Sequence, residues 1–185
     1  MQASCPVAEV VISPIELEDN IAIRNVISEV RDEFNCSGKD HSVADFSLQM
    51  MYQTYQQTGF AFFVVKKNGE VLGGAGIAPL DGVEGVCELQ KLYLHRSLRG
   101  FGVGELLIQY CLEEAGNLGY TACYLETAKQ LFSAQKLFRK AGFSEIPERL
   151  GNTGHSGCDL FFYFVMQMDS KKRGARDKSS PLTKA

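Results

Sequence analysis

The sequence has no C-x-x-C pair of cysteines and no excess of positive charge. Its six cysteines are scattered along the chain, at Cys5, Cys36, Cys87, Cys111, Cys123 and Cys158. Three of them stand inside apolar runs, where a free cysteine packs as a small hydrophobic residue. We therefore expect neither a disulfide framework nor a zinc site, and no bound metal.

Long apolar runs are also missing. No segment approaches the roughly 18 apolar residues of a membrane span, and no basic region at the start precedes a long apolar stretch. The net charge of −3 gives no reason to expect a nucleic-acid partner. These absences predict a cytoplasmic protein with neither a membrane nor a nucleic-acid partner.

The chain is long enough to bury a core, with 185 residues of which 45% are hydrophobic and 22% charged. Nothing in it reads as a linker or an internal repeat. We predict a single domain over residues 10–168, a flexible start over 1–9 and a basic, disordered tail over 169–185.

Hydrophobic periodicity predicts alternating blocks of strands and helices. A strand begins at Val10 and ends at Pro14, and a helix capped by Asp19 or Asn20 buries Ile23, Val26, Ile27, Val30 and Phe34. A second helix over 43–57 is expected to bury Phe46, Met50, Met51 and Tyr55. The later elements are strands at 60–65, 71–77 and 86–94, a helix at 103–118, a strand at 122–126, a helix at 131–141, a short strand from 143 and a strand at 159–168.

This order predicts an α+β or mixed α/β fold. The pair Asn68-Gly69 favours a tight hairpin between the second and third strands. The last strand, DLFFYFVMQM, is apolar enough to lie inside a sheet. It could complete its own sheet or pair across a dimer, so both a monomer and a homodimer fit.

A glycine-rich turn joins the strand at 86–94 to the following helix, with the sequence Arg99-Gly100-Phe101-Gly102-Val103-Gly104. The first N–H groups of a helix are unpaired, and glycines let a ligand approach them closely. With the helix dipole and a cationic Arg99, this arrangement suits a di- or polyphosphate. A tight turn that binds nothing is the alternative.

Two other phosphate motifs are excluded by spacing. A dinucleotide fingerprint that started at Gly100 would need a glycine where Glu105 stands. A P-loop would need Gly-Lys-Ser/Thr, which is absent.

The wider segment from Cys87 to Phe143 resembles the GNAT superfamily of acetyl-CoA-dependent N-acetyltransferases. The resemblance rests on an apolar strand with a glutamate, the R-x-x-G-x-G/A type of turn, a helix, a strand, and a late helix that ends in Ala141-Gly142-Phe143. It extends over about residues 60–168, and the text LGNTGHSGC is similar to a bacterial small-molecule subgroup. It implies a central, mostly antiparallel twisted sheet with helices on both faces.

The resemblance also implies where acetyl-CoA would bind. The pyrophosphate would lie on the backbone amides of Arg99, Gly100, Phe101, Gly102, Val103 and Gly104. The pantetheine arm would pair with the backbone of Leu92, Tyr93 and Leu94, and the amide of Leu92 would stabilise the oxyanion. Core packing is the simpler role for the side chains of Leu92 and Leu94.

For catalysis the resemblance indicates Glu88 as the base, acting directly or through water, and a structural role is the alternative. A period of two would place Glu88, Gln90, Leu92 and Leu94 on one face of the strand. The family's usual tyrosine acid corresponds to Phe138, which has no hydroxyl. Tyr124 or solvent would then supply the proton, or the reaction would need no general acid. Packing in the core is the alternative role for Tyr124.

The loop Gly151–Cys158 would lie beside the acceptor pocket, which makes Thr153 and His155 candidate substrate contacts. An acyl-enzyme on Cys158 is disfavoured because the superfamily transfers the acetyl group directly. The sequence thus predicts an acyltransferase that moves acetyl from acetyl-CoA to a primary amine of a small molecule. A protein lysine or N-terminal acceptor and a non-catalytic acyl-CoA sensor are the alternatives.

Overall fold

The computed structural model describes residues 10–34, 48–155 and 157–166. The predicted flexible start, the basic tail, the first part of the second predicted helix with Phe46, and the cysteines at 5 and 36 lie outside the described residues. The strands are β1 (Val10–Pro14), β2 (Ala61–Lys67), β3 (Glu70–Pro79), β4 (Val86–Leu94), β5 (Ala122–Thr127), β6 (Ser144–Ile146) and β7 (Leu160–Val165). The helices are α1 (Asp19–Glu33), α2 (Met51–Tyr55), α3 (Val103–Asn117) and α4 (Phe132–Lys140).

All seven strands join one sheet in the order β1-β2-β3-β4-β5-β7-β6. Every neighbouring pair is antiparallel except β4 and β5, which are parallel. The connection from β4 to β5 runs through α3, because parallel neighbours need a crossover. This mixed α+β sheet, flanked by four helices, is the predicted fold class.

The core has two layers because side chains alternate across the sheet. Phe63 and Val65 of β2 point to the face covered by α3 and α4. Phe62 and Val64, their neighbours in sequence, pack with α1 and α2 on the opposite face. The helices therefore lie on both faces of the sheet, as expected.

Local sequence signals predicted several boundaries correctly. The strand β4 has the predicted bounds, Val86–Leu94. The β2–β3 hairpin turns through Asn68 and Gly69, with φ of 51° and 81°. Both residues have a left-handed backbone conformation, which a two-residue hairpin turn of type I′ requires and which the pair Asn-Gly tolerates.

Three local predictions about the first two helices are wrong. The N-cap of α1 is Glu18, whose side chain makes no capping bond, rather than Asp19 or Asn20. The Asp19 carboxylate instead accepts the Glu16 N–H (3.0 Å) and binds Lys66 of β2 (2.9 Å). Met50 is exposed because its backbone lies before the first turn of α2. Phe34 is also exposed, with its ring under the Arg99 guanidinium.

A β-bulge in β4 overturns the prediction that Glu88, Gln90, Leu92 and Leu94 share one face. Lys91 and Leu92 stand opposite the single residue Ala75, and Lys91 has a φ of 52°. One extra residue reverses the alternation of all the side chains that follow. Leu92 and Leu94 consequently pack on the α3 side, whereas Glu88 and Gln90 face the other side of the sheet.

Candidate functional site

The strands β4 and β5 form a fork in the sheet. They pair only over Val86–Glu88 and Ala122–Tyr124. Beyond these pairs, β4 continues to Leu94 and β5 to Thr127, and among the described residues no register joins the two continuations. The backbone of β4 that faces β5 is therefore open to an extended ligand along this stretch.

The glycine turn lies directly beyond the open part of β4, at the start of α3. Gly100 and Gly102 have φ of 82° and 83°, and a Cβ at either position would meet nothing within 4 Å. Glycine is thus needed for the backbone conformation, and the space in front of the turn is open. The first hydrogen bond into α3 runs from Leu106 N–H to Gly102 C=O at 3.1 Å, which leaves the earlier amides of the helix for an anion.

Two residues of the turn make contacts with other elements of the fold. The Arg99 guanidinium forms two bonds to the Glu33 carboxylate (2.6 and 2.8 Å) and one to the Leu94 carbonyl (2.8 Å). Its charge is therefore paired with α1, and Arg99 lowers the pKa of Glu33 through these bonds. Gly104 serves packing, since a Cβ there would lie 2.9 Å from the Leu137 side chain of α4.

Glu88 is buried at the base of the fork, and its side chain is only 5% exposed. Its Oε1 lies 3.1 Å from His155 Nε2, and its Oε2 accepts a hydrogen bond from Gln90 Nε2. The Tyr55 hydroxyl of α2 donates to Gln90 Oε1 at 3.1 Å. A hydrogen-bonded chain thus runs from α2 through β4 to the His155 loop.

Tyr124 is the β5 neighbour of Glu88 in the parallel pair and is fully buried. Its hydroxyl donates to Glu126 Oε1 (3.0 Å) and accepts the Leu150 N–H (3.3 Å). Burial raises the pKa of Tyr124 well above its usual value, so the hydroxyl keeps its proton. Its role as a general acid stays a prediction.

Glu126 and Arg149 hold the loop that carries His155. The Thr153 hydroxyl donates to Glu126 Oε1 at 2.7 Å, while Arg149 Nη2 lies 3.0 Å from Glu126 Oε2. Arg149 Nη2 directs its hydrogen bonds to the carbonyls of His155 (2.7 Å) and Cys158 (3.0 Å). The predicted substrate contact Thr153 is therefore bonded to Glu126, and its role toward a substrate stays a prediction.

The electrostatics favour protonation of His155. The hydrogen bond to Glu88 raises the pKa of His155 above its ordinary value, and Glu126 adds to this effect. Burial raises the pKa of the Cys158 thiol to about 11, so this residue is protonated at neutral pH and a poor nucleophile.

Phe138 cannot supply the acid that the family usually places on this helix. Its ring is buried in the core of α4, β6 and β7, where it contacts Phe143 and Phe162. Sequence reasoning missed the roles of Gln90, Glu126 and Arg149. A period of two from Tyr124 could have found Glu126, but Arg149 had no sequence signal.

The described part of the chain holds neither a metal-binding cluster nor a membrane-spanning helix. Residues 10–34, 48–155 and 157–166 contain no group of three His, Cys, Asp or Glu side chains suited to a metal ion. No helix in these ranges is long and apolar enough to span a bilayer.

Comparison with known proteins places this fold and its motifs among acetyltransferases. The profile of the Acetyltransferase (GNAT) family matches residues 25–143. The uncharacterized N-acetyltransferase YjgM of Escherichia coli K12 is 43% identical over 148 residues, which cover 79% of this chain and 89% of YjgM. An uncharacterized N-acetyltransferase of Schizosaccharomyces pombe is 27% identical over 70% of this chain and 77% of its own length.

Solved structures share the fold at lower identity. A GNAT-family acetyltransferase of Staphylococcus aureus Mu50 superposes with a TM-score of 0.75 at 19% identity, over 85% of this chain and 99% of its own. The Salmonella typhimurium protein yncA, solved with its cofactor acetyl-CoA, has a TM-score of 0.71 at 21% identity, over 88% and 96% of the two chains.

Proposed function

Because the chain belongs to the GNAT acetyltransferase family, we propose that it transfers the acetyl group of acetyl-CoA to a primary amine of a small molecule. The amine attacks the thioester directly, in a complex that holds both substrates. The observation that carries the proposal is the buried Glu88, hydrogen-bonded to His155 at the fork between β4 and β5.

The described residues fit acetyl-CoA at both ends of the fork. The open turn at Gly100 and Gly102, with the first amides of α3, suits the pyrophosphate. Apart from the Leu94 carbonyl, which accepts Arg99, the backbone of β4 at Leu92, Tyr93 and Leu94 suits the pantetheine amides, and the Leu92 amide is assigned to the thioester carbonyl. Acetyl-CoA supplies an activated acyl group, so the chain itself needs only to position the amine and take its proton.

Glu88 belongs to the basic centre that makes the amine nucleophilic in this proposal. An ammonium group cannot attack a carbonyl carbon, so a basic group is needed near the thioester. The side chain of Glu88 is buried and fixed by Gln90 and His155, which holds this basic centre in one geometry. General base catalysis of this kind contributes roughly 10²- to 10⁴-fold to a rate.

The test compares Glu88→Gln with the matched control Glu113→Gln, which changes an exposed carboxylate on α3. CoASH release is measured with a thiol reagent, and the Kd of acetyl-CoA by calorimetry. We expect Glu88→Gln to lower kcat by about 100-fold or more while the Kd of acetyl-CoA changes by less than about threefold. Turnover equal to that of the control across the pH range would remove Glu88 from the mechanism.

The acceptor class is tested with a panel of simple amines, polyamines, amino acids and peptides. Release of CoASH that depends on small amines supports the proposal. Release that depends only on peptides would move the acceptor to a protein lysine or N-terminus. Tight acetyl-CoA binding with no acceptor-dependent release would favour a sensor.

A further inference from the structure

The two members of the Glu88–His155 pair differ in accessibility. Both carboxylate oxygens of Glu88 are engaged, one by Gln90 and the other by His155, and the side chain is 5% exposed. The imidazole of His155 is 47% exposed. An amine that approaches the pair from solvent therefore meets the imidazole before the carboxylate.

The hydrogen bond between them sets the chemistry of the imidazole. In a neutral imidazole one ring nitrogen donates and the other accepts. With Nε2–H donating to Glu88 Oε1, the lone pair is on Nδ1, which points away from the carboxylate. The negative charge of Glu88 also stabilises the imidazolium that forms when Nδ1 gains a proton.

We propose, on the basis of the proposed function, that His155 takes the proton of the acceptor amine and that Glu88 is a positioning residue which acts through His155. As the N–C bond forms, one amine proton passes to His155 Nδ1. The C–S bond then breaks, and its electron pair leaves with the sulfur. The imidazolium gives its proton to the thiolate or to water and is neutral again.

His155 in this role also supplies a general acid, which Phe138 cannot be because it has no hydroxyl. A protonated His155 is a proton donor, whereas burial raises the pKa of Tyr124 and makes its hydroxyl a weaker acid. The same side chain can therefore accept a proton as the amine attacks and return it afterwards.

The loop is built so that His155 stays against Glu88. Arg149 bonds to the carbonyl of His155, and its guanidinium lies 5.4 Å from the centre of the Phe161 ring. Thr153 bonds to the buried Glu126, two residues before His155. These contacts fix the backbone on both sides of the His155 Cα.

The charged groups around His155 come from three elements. Glu88 and Lys91 belong to β4 and Glu126 to β5, while Arg149 precedes the loop. Glu88 and Glu126 raise the pKa of His155, whereas Lys91 lowers it, and Arg149 donates a hydrogen bond to its carbonyl. Removal of Glu88 therefore removes the largest contribution to the elevated pKa.

The interaction between Glu88 and His155 is tested first, in the absence of an acceptor amine. The imidazole signals of the full chain are followed by NMR from pH 5 to pH 9, and His155→Gln assigns the resonance of His155. We expect a pKa above the ordinary 6.5 in the unmodified protein, a lower value in Glu88→Gln and no change in Glu113→Gln. A His155 pKa that Glu88→Gln leaves unchanged would overturn the pairing.

The proton transfer is tested with phenethylamine, spermidine and glycine methyl ester as probes. We expect His155→Gln to lower kcat by about 100-fold or more and to abolish the enzyme's ascending limb in the pH profile of kcat/KM. Glu88→Gln should keep that limb but shift it to lower pH, because the imidazole loses the carboxylate that raises its pKa.

The results distinguish a failure of the proposed function from a failure of the role of His155 alone. Absence of CoASH release by the unmodified protein with every probe contradicts the proposed function. Release by the unmodified protein, together with an unchanged pH profile in His155→Gln, contradicts only the role of His155. His155→Gln is suited to this test because a half-exposed side chain is replaced by one of similar polarity, and unchanged acetyl-CoA affinity verifies its fold.

Discussion

Tyr124→Phe separates a structural hydroxyl from a catalytic one. The substitution removes one oxygen and leaves the buried ring in place, so no apolar area is exposed. It deletes the bond to the Glu126 carboxylate at 3.0 Å and the bond from the Leu150 N–H at 3.3 Å. Glu126 Oε1 would then keep only the Thr153 hydroxyl as a donor.

The magnitude follows from the loss of these two bonds. A hydrogen bond to a charged group contributes about 1.5–3 kcal/mol, and a neutral bond about 1 kcal/mol. Because the Leu150 bond is long, we expect a loss of about 2 kcal/mol in the free energy of unfolding. For a chain of this size that corresponds to a fall of roughly 4–8 °C in Tm.

The assay is urea unfolding followed by circular dichroism, together with kcat for the best amine. Tyr110→Phe is the matched control, because Tyr110 is partly exposed on α3 and its ring contacts Phe63. We expect that control to stay within about 0.5 kcal/mol of the unmodified protein. A loss in Tyr124→Phe no larger than the control's would refute the reasoning, as the hydroxyl would then stabilise nothing.

The kcat of Tyr124→Phe is interpreted separately from its stability. We expect kcat to fall by less than about tenfold, since His155 is the proton-transfer group in our proposal. A fall of 100-fold or more without loss of stability would instead place the Tyr124 hydroxyl in the proton transfer.

Two further predictions concern the turn and the loop. Gly102→Ala should lower stability by about 1 kcal/mol and weaken acetyl-CoA binding, because its φ of 83° is left-handed, whereas Gly116→Ala in the helical part of α3 should raise stability by roughly 0.5–1 kcal/mol. Thermal unfolding of both variants checks this, and a Gly102→Ala protein as stable as Gly116→Ala would contradict it. The pKa of His155 is raised in the folded protein, so its stabilising effect is fully present below about pH 6.5 and is lost as the pH rises through the folded-state value. The stability difference between the unmodified protein and His155→Gln, measured by urea unfolding at several pH values, should therefore shrink as the pH rises, and a difference that grows with pH would contradict the sign.

The candidate site was predictable where one short segment carries the information. The turn at Gly100 and Gly102 was found because alternating glycines before a helix suit an anion site, and spacing tests which phosphate motif they fit. Glu88 and Tyr124 were found as members of neighbouring strands, and the structure pairs them directly. Their catalytic roles stay predictions.

Part of what sequence reasoning did not predict depends on contact between segments far apart in sequence. Arg99 was expected to place its charge beside a phosphate, and the structure pairs its guanidinium with Glu33 of α1, 66 residues earlier, so its role toward a phosphate stays a prediction. Asp19 was assigned to a helix cap, but Lys66 of β2 takes its carboxylate. Neither partner could be inferred from local spacing.

The amino-acid sequence by itself determined the strands, most of the helices and the glycine turn, because periodicity, turn chemistry and backbone conformation are properties of neighbouring residues. Only the tertiary structure decided which side chains share the site. The bulge at Lys91 turned Leu92 and Leu94 to the other face of the sheet, and the loop held by Arg149 and Glu126 brought His155 against Glu88 across 67 residues of chain. Register and loop placement depend on packing of the whole sheet, which is why local sequence patterns did not predict these contacts.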